Sequence, residues 1–262
     1  MRVLVVTAVP AEADSVTAGL SPNGPVTSHR VPGGHTLLRC HAGRGTGRHS
    51  TSTATATATA TATVDVLVGG AGPAAAAAAA ATALTAAAAA AAAASAPGTP
   101  GYDLVFSAGI GGGFADIAPL GSIVVADAIV AADLGAQTPD GHLTVEELGF
   151  GRSAHRPAAL SKRIAEALDA VHAPVLTVST VTGTADRAAE LTARHPRAAA
   201  EAMEGFGVAE AAVRHGVPVA EIRAVSNTVG PRDRPSWRIG EALEALRDAF
   251  RLLSPVLEEE VR

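Results

Sequence analysis

The sequence predicts a three-layer α/β/α fold built on a central, mostly parallel mixed sheet. Short β-branched apolar runs alternate with alanine-rich helical stretches. The runs carry few polar interruptions, as strands covered on both faces do. The chain has 262 residues, 48% of them hydrophobic, enough for one large core, and 1–262 reads as a single domain.

In chain order, Met1 to Val6 hold one basic residue before a short apolar run, with no cleavage pattern after it. They read as a first strand, Val3–Thr7, rather than a leader. A helix is predicted over Ala11–Leu20. The segment between residues 23 and 63 is hairpin-like and can add antiparallel strands. Within it, Thr51–Thr63 is nearly a strict Thr/Ala alternation. A period of two suits a strand, whereas the poverty of large apolar side chains suits a flexible insertion, and both readings stand.

Val64–Gly69 is the next predicted strand, and Gly69-Gly70-Ala71-Gly72-Pro73 punctuates it, with Pro73 near the first position of a helix over Ala74–Ala94. Alanine is chiefly a helix former, and Leu84 is the tract's one strong membrane-inserting side chain. A helix packed closely on a soluble core is therefore expected, not a membrane span. Further strands are predicted over Leu104–Ser107, Ser122–Ala126, Val175–Ser179 and Val217–Ser226. The intervening helices are Pro157–Val171, Ala185–Arg194 and Gly205–His215. A last amphipathic helix, Ile239–Leu253, puts Leu243, Leu246, Phe250 and Leu253 on one face.

Net charge is −5 and the sequence pI about 6.0, which argues against nucleic acid as a partner. A single cysteine, Cys40, excludes an internal disulfide framework and fits a reducing compartment. A soluble, cytoplasmic protein without a membrane partner is expected.

In a sheet of this class, ligands sit beyond the carboxyl ends of the strands. Four such ends carry polar or glycine-rich sequence. The first places Glu12 at a helix start, where an acidic residue is also favoured for purely structural reasons. The second is Phe106-Ser107-Ala108-Gly109-Ile110-Gly111-Gly112-Gly113-Phe114, read as a loop whose glycines let backbone amides approach a ligand. Its spacing matches neither a dinucleotide fingerprint nor a P-loop. The third is Glu201-Ala202-Met203-Glu204-Gly205-Phe206-Gly207, in which a carboxylate suits ribose hydroxyls and a methionine offers an apolar surface. Glu201 also fits a surface helix start. The fourth strand ends on Ser226-Asn227 after Arg223.

Taken together and in this order, these elements resemble the nucleoside phosphorylase/hydrolase superfamily, over about residues 1–20 and 64–250. Two further stretches, Ala132–Gly141 continuing to Glu147–Gly151, and Gly230–Trp237, resemble the futalosine hydrolase branch. The resemblance implies hydrolysis of the N-glycosidic bond of futalosine to hypoxanthine and dehypoxanthine futalosine, a menaquinone-route step. It implies a small-molecule purine nucleoside substrate, no cofactor or metal, and a homo-oligomer. By family position, Glu12 activates water, Asn227 meets the purine, and Met203 and Glu204 hold the ribosyl group. Ser107 and the Gly109 backbone line the water side, Val181 and Thr182 belong to the purine loop, and Phe206 stacks on the base. Arg232 and Arg234 are candidates for the carboxylate at the far end of futalosine.

Other members of the superfamily are the nearest alternatives. Adenosine-type nucleosidases typically carry aspartate where this chain has Asn227. A phosphorylase needs cationic partners for phosphate, for which Arg44 and Arg48 are candidates by charge. A non-catalytic nucleoside-binding protein on the same fold is a third reading, since fold alone fixes no activity. The joint presence of Glu12, Glu204 and Asn227 argues against it.

Overall fold

The computed structural model describes residues 1–21, 24–42, 62–93, 101–157 and 159–259. Arg44, Arg48 and the Thr/Ala tract as far as Thr61 lie outside these, while Ala62 and Thr63 open a strand. Strand β1 (Arg2–Thr7) leads into helix α1 (Pro10–Leu20). The antiparallel pair β2 (Thr27–Arg30) and β3 (Thr36–Ala42) follows, then β4 (Ala62–Val68) and the alanine helix α2 (Pro73–Ala93). Next come β5 (Leu104–Gly113), β6 (Ile123–Ala131), the hairpin β7 (Gly135–Thr138) and β8 (Gly141–Thr144), and the short β9 (Ala154–His155). The chain continues through α3 (Ala159–Leu168), β10 (Val171–Thr177), α4 (Ala185–Arg194) and β11 (Ala200–Ala202). It finishes with α5 (Gly205–Arg214), β12 (Val219–Thr228) and α6 (Ile239–Glu259).

The sheet runs β11-β10-β6-β12-β5-β1-β4-β3-β2. Its centre, β4, β1, β5 and β12, is parallel throughout. Strand β6 joins β12 antiparallel and β10 parallel. Strand β11 then pairs parallel with β10 and antiparallel with β5, so that half of the sheet closes on itself. Alternation along β1 explains the layers. Leu4 and Val6 pack towards α2 and α5, whereas Val3 and Val5 pack towards α1 and α6. Helix α2 is long and apolar enough to cross a membrane by length and composition. Yet Ala76, Ala79, Ala80, Ala83, Leu84 and Ala87 form a buried face in the core shared with α5, as a helix of small side chains must.

Several boundaries differ from the sequence reading, among them β10, which runs Val171–Thr177 rather than Val175–Ser179, and four others with a local cause. The run Gly109–Gly113 is no loop: it is the second half of β5, paired with Arg223–Thr228 of β12. The helix predicted over Pro157–Val171 stops at Leu168, because Asp169 adopts φ 48° and the chain turns into β10. Strand β6 continues five residues past Ala126, across Asp127, whose carboxylate pairs with Arg197 at 2.5 Å. Helix α6 extends to Glu259 through Pro255, since Leu257 prolongs the buried stripe of Leu246, Phe250 and Leu253.

Candidate active site

The carboxyl ends of β1, β10, β11 and β12 and the glycine half of β5 converge on one cleft. Glu12, the third residue of α1, enters it from the β1 end. Its Oε2 accepts hydrogen bonds from Ala8 N (2.9 Å) and Val9 N (3.2 Å), and its Oε1 from Ile110 N (2.9 Å). The helix-start role and the cleft role therefore coexist. An ionised carboxylate offers about four acceptor sites, so three backbone donors leave about one for a further ligand. Burial pushes the Glu12 carboxyl above its ordinary value, and the Arg223 charge and the three N–H groups pull it only part of the way back.

Glu204, at the start of α5, is 5% exposed. Gly72 N donates to its Oε1 at 3.2 Å, and Arg223 Nη1 lies 3.1 Å from its Oε2. Arg223 itself is 1% exposed. Its Nε bonds Glu221 Oε1 at 2.9 Å and its Nη2 donates to Ser107 Oγ at 2.9 Å. Burial alone would lower its affinity for a proton, but Glu221, Glu204 and Glu12 together hold the guanidinium above the ordinary arginine value. Burial pushes the Glu221 carboxyl up, against the pull of Arg223. Two glycines make room for this network. A Cβ on Gly109 would stand 2.5 Å from Glu12 Oε1 and 2.8 Å from Arg223 Nη1. A Cβ on Gly205 would stand 2.2 Å from Glu221 Oε2.

Asn227 is the penultimate residue of β12, with Ser226 Oγ 2.9 Å from its Oδ1 and its Nδ2 donating to Thr228 O at 3.2 Å. The second N–H of that amide is uncommitted. Opposite it, the loop after β10 is held at three points. Ser179 N donates to Asp133 at 2.6 Å, Thr182 N donates to Glu201 Oε1 at 2.8 Å, and Gly183 O accepts from Arg232 N at 3.3 Å. Thr182 Oγ1 also donates to Glu201. Glu201 is thus no surface helix start but a buried brace in β11. Burial pushes its carboxyl up while the Thr182 bonds restrain it.

Of the residues singled out from sequence, Glu12, Asn227, Val181, Thr182, Met203, Glu204 and Arg232 line this cleft. Four do not. Ser107 is fully buried behind Arg223, and Gly109 underlies Glu12, so neither lines the water side. Phe206 packs its ring 5.1 Å from that of His155 and faces a different depression, so it does not stack in the cleft. Arg234 lies outside, over Trp237. Arg223, Glu221 and Glu201 were missed as functional candidates. The available signal was a pair of opposite charges two residues apart in an otherwise apolar strand.

Size does not select the site. The cleft holds about 200 Å³, against about 590 Å³ beside Phe150 and about 640 Å³ beside the β7–β8 hairpin. Chemistry does, because of these three it is the cleft that joins buried carboxylates, a buried guanidinium behind them and an uncommitted amide. Cys40 is no rival nucleophile: it is buried, and burial pushes its thiol up to about 11. Among the described residues, no three His, Cys, Asp or Glu side chains gather as a metal-ligand set.

Comparison with known proteins identifies the family. The sequence model of the phosphorylase superfamily matches residues 3–259. A futalosine hydrolase of Streptomyces coelicolor is 70% identical over 158 residues, covering 60% of this chain and 67% of its own. A futalosine hydrolase of Acidothermus cellulolyticus is 49% identical over 158 residues, covering 58% and 64%. The chain therefore spans about two thirds of the length of these curated relatives. In structure, an S-adenosylhomocysteine nucleosidase of Streptococcus pyogenes matches with a TM-score of 0.72 over 99% of this chain and 97% of that one. At 18% identity that likeness is one of fold. The chain belongs to the phosphorylase superfamily and is a homologue of futalosine hydrolases.

Proposed function

We infer that the chain hydrolyses the N-glycosidic bond of futalosine, releasing hypoxanthine and leaving dehypoxanthine futalosine. The observation that carries this reading is the convergence of Glu12, Glu204 and Asn227 on one cleft, with Glu12 and Glu204 held beside the buried Arg223 guanidinium, in a homologue of futalosine hydrolases. Water adds its oxygen to the anomeric carbon, the carbon–nitrogen bond breaks, and its electron pair leaves with the purine, which takes up one proton from solvent as Glu12 in turn releases the one it took from water. Charge develops at both ends, and the cleft answers each. Glu12 accepts the proton of the attacking water through its remaining acceptor site, and its raised affinity for a proton makes it a better base than an exposed glutamate. Glu204, fixed by Arg223 and Gly72, accepts from the ribose hydroxyls, with Met203 against the sugar. Asn227 donates its uncommitted N–H to the purine, a bond that strengthens as the base gains electron density.

Val181 and Thr182 form the wall of the purine side, braced by Glu201. The reading includes a soluble, cytoplasmic homo-oligomer. The lone cysteine supports the compartment, and the solvent-facing Phe150, Leu134 and Val213 support self-association, which sizing in solution tests. Incubation with futalosine, inosine and methylthioadenosine in phosphate-free buffer, with both products identified, tests the activity. Hypoxanthine and free reducing sugar from futalosine are expected. Adenine release from methylthioadenosine at a higher kcat/KM would transfer the chain to the adenosine-type reading.

A further inference from the structure

The stretch between β12 and α6 contributes Gly230, Arg232 and Trp237 to the outer rim of the cleft, and Ile239, the first residue of α6, joins them. It is pinned at both ends: Arg232 N donates to Gly183 O at 3.3 Å, and Arg238 N donates to Ser226 O at 2.7 Å. The Arg232 guanidinium lies 5.0 Å from the centroid of the Trp237 ring, and that of Arg234 lies 5.7 Å from it. Among the described residues, neither arginine has a carboxylate partner within salt-bridge distance. Arg232 faces the cleft and Arg234 does not.

Beside this cation, Val181 and Ile239 expose 42% of their surface each while lining the same cleft. The inner end is the opposite in character, with the carboxylates of Glu12, Glu201 and Glu204. An indole, two exposed branched side chains and an unpaired guanidinium on one rim match a flat apolar group that ends in an anion. The inner carboxylates would repel that anion, so a bifunctional ligand can enter one way round.

We propose that this rim is an aryl-carboxylate subsite, in which Arg232 binds the carboxylate and Trp237, Val181 and Ile239 pack the ring. The proposal rests on the futalosine reading, since the sugar of futalosine carries a carboxyphenyl ketone. Trp237 has two duties. Its ring face holds the Arg232 guanidinium in a planar, prepaid orientation, and its edge is left for the ligand. Arg234 is the outer cation of the same stack and reinforces it from a distance.

The test compares futalosine with inosine, which lacks the aryl carboxylate, by kcat/KM and by calorimetric binding, in Arg232→Ala, Arg232→Lys, Arg234→Ala and Trp237→Phe. In Arg232→Ala the ratio of kcat/KM for futalosine over inosine falls about 10- to 100-fold, carried mainly by KM, as loss of a charge-assisted bond requires. Arg232→Lys recovers part of it, because charge returns without the planar fork. Arg234→Ala and Trp237→Phe lower the ratio less. Equal losses on both substrates in Arg232→Ala, or no loss on either, overturn the subsite. If the parent chain does not cleave futalosine at all, the activity reading fails separately. Calorimetry with futalosine then still decides the subsite: a weaker Kd in Arg232→Ala supports it and an unchanged one overturns it.

Discussion

Replacing Arg223 by methionine keeps much of the side-chain volume but removes the cation shared by Glu221 at 2.9 Å and Glu204 at 3.1 Å. Both carboxylates stay buried, with Glu221 at 0% and Glu204 at 5% exposure. Breaking a buried pair from one side costs about 3–5 kcal/mol, because the remaining charge has no partner. A chain of this size loses roughly 2–4 °C of Tm per kcal/mol, so Tm should fall by about 6–20 °C. The deficit should depend on pH. In the parent, burial raises Glu221 and Arg223 opposes the rise. Without Arg223 only the upward push remains. A carboxyl whose folded value lies above its unfolded one takes up a proton on folding, so its penalty is full at high pH and fades as pH falls through the folded value.

The Tm deficit should therefore be largest at the alkaline end of the stable range and shrink on acidification. Arg223→Met combined with Glu221→Leu should recover most of the Tm, since an apolar replacement of a buried pair is often neutral or stabilising. Activity should stay low in both, because Glu204 has lost its anchor. Thermal melts across pH and futalosine turnover are the assays. A single variant melting within about 2 °C of the parent at neutral pH, or a deficit indifferent to pH, would refute the network's role.

Glu204→Gln should lower kcat/KM for futalosine by about one to two decades with the fold intact, and unchanged kinetics would remove Glu204 from the ribose contact. The acidic limb of the kcat/KM profile should lie above the ordinary glutamate range, because Glu12 must be ionised to act and burial raises it; a limb at or below that range would assign the base elsewhere. Asn227→Asp should slow futalosine cleavage and raise the relative rate on 6-amino analogues, since an ionised carboxylate opposes a 6-oxo acceptor. A parent that cleaves 6-amino-6-deoxyfutalosine as fast as futalosine contradicts that account of Asn227.

The central strands were legible because β-branched runs such as Val3–Thr7 need no partner to be recognised. Gly109–Gly113 misled for a local reason. Glycine signals a turn in sequence, whereas here it lets β5 lie against Glu12 and Arg223 while still pairing with β12. The short strands β9 and β11 were not predicted, for they have two and three residues and exist only through pairing. At the site, Glu12, Glu204 and Asn227 were visible through the resemblance to the nucleoside phosphorylase/hydrolase superfamily, since each sits in a segment that carries it. Arg223 and Glu221 were not, since a charged pair inside a strand reads as a solvated face until both flanking layers cover it. Glu201 was misread likewise, as burial in β11 depends on a loop nineteen residues earlier in the chain.

The most direct test is the time course of hypoxanthine release from futalosine in phosphate-free buffer, run side by side on the full chain and on Glu12→Gln, with the sugar product quantified. The full chain should release hypoxanthine and free dehypoxanthine futalosine in equal amounts without phosphate, while Glu12→Gln, folded and still binding hypoxanthine, should release almost none. A phosphate requirement in the parent, or a variant that matches the parent's rate, would contradict water activation by Glu12 in this cleft.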